Sequence, residues 1–159
     1  MASYAAFLRG IMPMNPNMRN EKLRGVFERL GFTDVQTVIS SGNVVFKSGS
    51  KSIATLEAKI EKALTAELGF KSAVFIRSKE ELEKLIRTDP FKGKEHGRKT
   101  YLIVTFLKKE PREIFSVLDL SAAKTPDFMA KVEKEYGKTI TTRTWKTVGR
   151  IVKKLGEAI

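Results

Sequence analysis

The chain has 159 residues, enough for one domain or two small lobes around an apolar core, and its 42% hydrophobic content argues against disorder. With 30 Lys and Arg against 18 Asp and Glu, the formal charge is +12, which favours polyanionic partners such as nucleic acid, anionic lipid or phosphorylated ligands. The absence of cysteine excludes disulfides, thiolate catalysis and Cys-based zinc sites.

Tyr4 to Ile11 reads as a buried first strand, mostly apolar and interrupted only by Arg9 and Gly10. It reaches a charge at once and has no basic leader, which argues against a secretory signal. No stretch approaches the roughly 18 to 20 apolar residues that cross a bilayer. The expectation is therefore a soluble, cytoplasmic chain with no membrane role. Pro13 and Pro16 make residues 12–17 a loop. Leu23, Val26, Phe27 and Leu30 then form one apolar stripe of a helix that Gly31 ends.

Val35 to Ser41 and Val44 to Ser48 read as a hairpin, with Gly42-Asn43 as a two-residue turn whose first central position suits glycine. A second helix follows on Ile53, Leu56, Ile60 and Leu64, ended by Gly69, and Ala73 to Ile76 is the next strand. Leu30-Gly31-Phe32 is echoed by Leu68-Gly69-Phe70, each a helix stop whose phenylalanine can fold back on the last turn. The order β-α-β-β-α-β predicts an α+β fold with a ferredoxin-like first half.

The remainder predicts a smaller α/β portion. Ser78 and Glu81 form a capping box for a helix carrying Leu82, Leu85 and Ile86. Residues 89–99 form a charged loop, and Tyr101 to Leu107 reads as a central strand. Pro111 suits the start of a short helix reaching Leu118. Another helix starts at Thr125-Pro126, with Phe128, Met129 and Val132 inward, and the last runs from about Arg143 to Leu155. Lobes of 1–77 and 78–159 follow, within one compact body whose internal boundary lies near residues 77–99.

The final helix carries Trp145, Val148, Val152, Leu155 and Ile159 along one stripe, with Lys146, Arg150, Lys153 and Lys154 on the other side. From Met129 to Ile159 the net charge is +5. One reading is a docked helix with a solvated basic face; the other is a phosphate-binding face. In a ferredoxin-like sheet the central strands also carry Tyr4, Phe7 and Phe46, the places where RNA-recognition domains stack bases. Core packing explains these rings better, because Ser41-Gly42-Asn43-Val44-Val45-Phe46 lacks the aromatic pair of that motif.

Catalytic patterns are sparse. His96 is the one histidine and sits in a charged loop, where solvation is its ordinary state. There is no Gly-x-Ser-x-Gly elbow, no Gly-rich phosphate loop and no acidic cluster with metal-ligand spacing. No metal or cofactor is expected, and no reaction is assigned. What remains is a polar set at the ends of elements: Arg9, Asn15, Asn17, Ser40, Ser41, Asn43, Arg143 and Thr144. Clustered, these would hold an anion by charge-assisted hydrogen bonds; turn and cap duty is the simpler account of Asn17, Ser41 and Asn43.

Four motifs in order span nearly the whole chain: Ala6-Phe7-Leu8-Arg9-Gly10-Ile11, Leu30-Gly31-Phe32 with Val35 and Thr37, Ser41-Gly42-Asn43-Val44-Val45-Phe46, and Thr142-Arg143-Thr144-Trp145 with Thr147-Val148. In these the sequence resembles the bacterial family catalogued as Domain of Unknown Function 1697. The resemblance implies a cytosolic α+β protein and supplies no activity. Where that family continues Asn-Val-Gly-Gly after Arg-Gly-Ile, this chain has Met12-Pro13-Met14-Asn15, so an anion cradle built on the glycine pair is not expected here.

Two functions from different classes are consistent with these residues. The first is a non-enzymatic module binding a polyanion such as nucleic acid through Lys146, Arg150, Lys153 and Lys154. The alternative is a small-molecule protein or enzyme taking an anionic or phosphorylated ligand near Arg9, Ser40 and Arg143, with Asn15 and Asn43 as further candidates. Self-association through a sheet edge or the Trp145 helix is a third possibility, and the oligomeric state is not legible in the sequence.

Overall fold

The computed structural model describes residues 1–40, 42–119 and 125–157. It is an α+β protein whose chain divides into two compact units, Met1–Glu83 with Arg150–Ile159, and Lys84–Gly149. The side chains of Phe128, Met129 and Ile159, expected on apolar stripes, and Ser41 lie outside the described set.

The first unit begins with β1 (Ala2–Leu8), a single 3-10 turn (Pro16–Met18), α1 (Asn20–Arg29), β2 (Thr33–Thr37) and β3 (Asn43–Ser48). α2 (Ile53–Leu68), β4 (Val74–Ser78) and the start of α3 (Lys79–Thr88) follow. The strands form one sheet in the order β2-β3-β1-β4, every neighbour antiparallel, which is compatible with the ferredoxin-like arrangement.

Alternation along the strands decides where the core sits. Tyr4, Ala6 and Leu8 of β1, Val44 and Phe46 of β3, and Val74 and Ile76 of β4 share one cluster with Leu23 and Phe27 of α1 and Leu56, Ile60 and Leu64 of α2. The intervening residues Ala5, Phe7, Val45 and Phe75 are buried as well. Burial on both sides is why β1 and β3 read in the sequence as continuous apolar runs. Phe46 anchors the cluster, with Phe32 at 4.6 Å and Phe27 at 5.3 Å between ring centroids. The turn after α1 folds Phe32 back as expected, its N–H donating to Phe27 O at 3.3 Å.

The hairpin differs from the two-residue expectation. β2 ends at Thr37, and Asn43 belongs to β3, so residues 38–42 make the connection. Asn43 is buried and its Nδ2 donates to Val38 O at 3.1 Å, closing the longer loop with a side-chain bond.

The second unit holds β5 (Thr100–Leu107), β6 (Glu113–Asp119), α4 (Thr125–Tyr136), β7 (Ile140–Thr144) and the first turn of α5 (Trp145–Glu157). Its sheet runs β6-β5-β7, so β5 is central, as its apolar sequence predicts. Leu107, Val132 and Ile140 form a small core with Ile114 and Tyr136 against it.

Two elements correct the sequence reading. The residues after Pro111 form strand β6 instead of a helix, with Leu102 opposite Val117 and Val104 opposite Phe115. The aromatic and β-branched residues Ile114, Phe115 and Val117 suit a pleated surface, and Pro111 falls in the turn. The threonine cluster before the last helix is strand β7, and α5 starts only at Trp145. Stiff β-branched side chains at Ile140, Thr141, Thr142 and Thr144 favour that extended run.

Candidate anion-binding surfaces

α5 displays the clearest electrostatic asymmetry. Val148, Ile151 and Leu155 are fully buried, whereas Lys146, Arg150 and Lys153 are exposed. Ile151, and not the half-buried Val152 of the expected stripe, completes the buried i, i+3, i+7 row. Lys146, Arg150 and Lys153 follow one another at i, i+4 and i+7, so they share a face, rising about 6 Å and then about 4.5 Å along the axis. None of these three forms an ion pair among the described residues, while Lys154 Nζ lies 3.7 Å from Glu157 Oε2. Trp145 starts the helix as an anchor, its ring edge-on to Phe91 at 5.2 Å, and Phe91 in turn meets Phe115 at 5.8 Å.

The other predicted residues separate into two groups. Leu8 N donates to Gly42 O at 2.8 Å, Arg9 N to Ala73 O at 2.9 Å, and Ser72 Oγ to Arg9 O at 2.8 Å. Asn20 Nδ2 reaches Ile39 O at 3.1 Å. These bonds bring half-buried Arg9 and exposed Ser40 to the same end of the four-stranded sheet. Close approach there requires Gly42: a Cβ on it would lie 2.6 Å from Ile11 Cγ1, and its φ is +79°. Asn15 caps the 3-10 turn, accepting from Asn17 N at 3.0 Å. Arg143 belongs to the other unit, on β7, with its NH1 donating to Thr141 Oγ1 at 2.8 Å and Thr142 O at 2.7 Å. Burial lowers its pKa from the ordinary arginine value to about 10.

The aromatic rings of the central strands are packing residues. Tyr4, Phe7 and Phe46 are 4%, 0% and 1% exposed, so none presents a face on which a base can stack. Tyr4 also spends its hydroxyl on Ser50 O at 2.7 Å. His96 is not merely solvated: it stacks on Tyr101 at 4.8 Å and its Nδ1 accepts from Leu102 N at 3.1 Å, which ties the 89–99 loop to β5. Among the described residues no group of three His, Asp or Glu is placed to hold a metal ion, and no helix is long and apolar enough to cross a membrane.

One concavity has no local signature in the sequence. A cavity of about 350 Å³ in the second unit is lined by Leu107, Lys108 and Lys109 on one side and by Tyr136, Gly137, Lys138 and Thr139 on the other. The register that pairs Leu107 with Ile140 brings the two lysine-bearing turns side by side.

These features define a class: a basic α+β protein of two antiparallel sheets, with a row of exposed cations on its last helix. Residues 1–136 match the family described as "Protein of unknown function (DUF1697)", and the chain belongs to that family. Among solved structures it is similar to one titled "The structure of conserved bacterial protein SP0830 from Streptococcus pneumoniae", with a TM-score of 0.68 and 23% sequence identity. That match covers 97% of this chain and 98% of the other, and at this identity it shows a shared fold. No curated protein matches the sequence.

Proposed function

We propose that this protein is a non-enzymatic cytoplasmic binding module for a polyanion such as nucleic acid, engaged through the outward face of α5. The observation that carries this reading is the row formed by Lys146, Arg150 and Lys153, exposed and without an ion-pair partner among the described residues. Cations held against carboxylates would already be neutralised, whereas these three are available to displace counterions from phosphates. The formal charge of +12 adds a long-range field that draws polyanions toward the molecule. Buried sheet aromatics are consistent with backbone contact and not with base stacking, so sequence preference is expected to be weak.

Fluorescence anisotropy with mixed-sequence single-stranded RNA and DNA, titrated at several salt concentrations, tests the reading. Binding at low salt that weakens steadily as salt rises is the expected result. Absence of binding at low salt overturns it.

A further inference from the structure

The geometry points to a second, separate site: the cavity between the β5–β6 turn and the α4–β7 turn binds a small organic phosphate monoester. Its volume of about 350 Å³ falls within the range typical of small-molecule pockets. Its lining includes three lysines, Lys108, Lys109 and Lys138, and among the described residues no carboxylate. Lys109 and Lys138 form no ion pair among the described residues.

A larger cleft in the first unit makes the contrast. That cleft, about 550 Å³, is lined by Arg24, Glu28, Asp34 and Gln36, among others. Arg24 Nε lies 3.4 Å from Glu28 Oε2, and Asp34 Oδ2 lies 3.3 Å from Lys47 Nζ. Its charges are satisfied internally, so it offers little to an ion of either sign.

The lysine cavity also has an apolar wall. Leu107 is buried and Tyr136 half-buried at its base, both packed with Val132 and Ile140. Ammonium groups around an aromatic and aliphatic floor suit a ligand with a dianionic head and a compact apolar body. Thr139 adds an exposed hydroxyl at the rim. Of the acidic residues beside it on α4, Glu135 is hydrogen-bonded to Tyr136.

The probe is phenyl phosphate, titrated into ¹⁵N-labelled full-length protein, with phenol as its neutral counterpart. Saturable amide shifts confined to residues 107–109 and 136–139 are expected, with phenol producing none. The Lys109→Gln/Lys138→Gln variant changes only exposed side chains and keeps the fold, and it should weaken binding by about tenfold or more. Three results overturn the site: shifts centred on Lys146, Arg150 and Lys153, equal binding of phenol, or undiminished affinity in the double variant. Because α5 is untouched by these substitutions, loss here leaves the polyanion reading standing, and loss there leaves this one.

Discussion

The carboxylate of Glu57 on α2 accepts a hydrogen bond from the backbone N–H of Ile76, 2.9 Å away on the free edge of β4. Two more glutamates repeat the arrangement along the same strand: Glu61 Oε2 accepts from Val74 N at 2.8 Å, and Glu81 Oε1 from Ser78 N at 2.9 Å. β4 ends the sheet, and its alternate N–H groups would otherwise face outward as a template for another strand. Three carboxylates thus close the edge. Glu57→Ala leaves the Ile76 N–H buried without an acceptor and should cost about 1–3 kcal/mol, whereas Glu57→Gln keeps an oxygen in place and should cost less. Urea unfolding of both variants measures the difference; an unchanged midpoint for the alanine variant contradicts the assignment. Removing Glu57 and Glu61 together should also raise the apparent mass in light scattering.

Gly42 is where the chain must pass closest to the end of β1. Alanine there puts a methyl group 2.6 Å from Ile11 Cγ1 and 3.0 Å from Leu8 O, on a backbone with φ at +79°. The left-handed conformation alone costs an L-residue about 1–2 kcal/mol, and the contacts add to it. Gly42→Ala should therefore destabilise more than Gly10→Ala, whose φ is +74° but whose added Cβ meets nothing within 4 Å. Thermal unfolding of the pair separates conformational strain from crowding; equal losses would show that crowding plays no part.

Thr105 lies on the central strand β5 with 0% exposure, and its Oγ1 has no hydrogen-bond partner among the described residues. A buried hydroxyl left unmatched opposes folding by about 1–3 kcal/mol. Thr105→Val keeps the shape and removes the polar atom, so it should raise the unfolding midpoint. A lowered midpoint would mean that the hydroxyl is satisfied in solution.

What the sequence made legible follows from how local each signal is. The first half was readable because β1, β3, α1 and α2 each announce themselves by their own periodicity, and Gly31 and Gly69 stop the helices directly after Leu30 and Leu68. β6 and β7 were not, because their identity depends on pairing with β5: Pro111 resembles a helix start until Glu113 is seen opposite Phe106, and the threonines look like a helix lead-in until Thr142 is seen opposite Thr105. The lysine cavity was hidden for the same reason. Lys109 and Lys138 are far apart along the chain, and only the Leu107–Ile140 register makes them neighbours. The basic face of α5 was visible beforehand, since one helix carries all its members.

Arg143 provides a pH test. Burial lowers its pKa from the ordinary arginine value to about 10, so the folded state holds this proton less tightly than the unfolded chain does. Below about pH 10 the guanidinium is charged in both states, and its burial is a constant cost. As pH rises through the folded value toward the unfolded one, the unfolded chain binds more protons, and stability attributable to this residue increases. Arg143→Met removes the titration. The stability of wild type relative to the variant should move in favour of wild type between about pH 9 and about pH 11, while lysine and tyrosine titrations common to both cancel. A difference that stays flat across that interval would sink the argument.

The α5 face makes a quantitative demand on salt dependence. For single-stranded nucleic acid the logarithm of affinity falls against the logarithm of salt with a slope of about −0.7 for each phosphate neutralised. If Lys146, Arg150 and Lys153 each meet one phosphate, replacing all three with glutamine should make the slope shallower by about 2. The neighbouring Lys154→Gln is the control, because that ammonium already lies 3.7 Å from Glu157 Oε2 and has less to offer a phosphate. All four positions sit on the solvent side or flank of a helix whose buried stripe is Val148, Ile151 and Leu155, so the variants should unfold at similar temperatures. A slope that survives the triple substitution while Lys154→Gln reduces it would move the contact to another part of the surface.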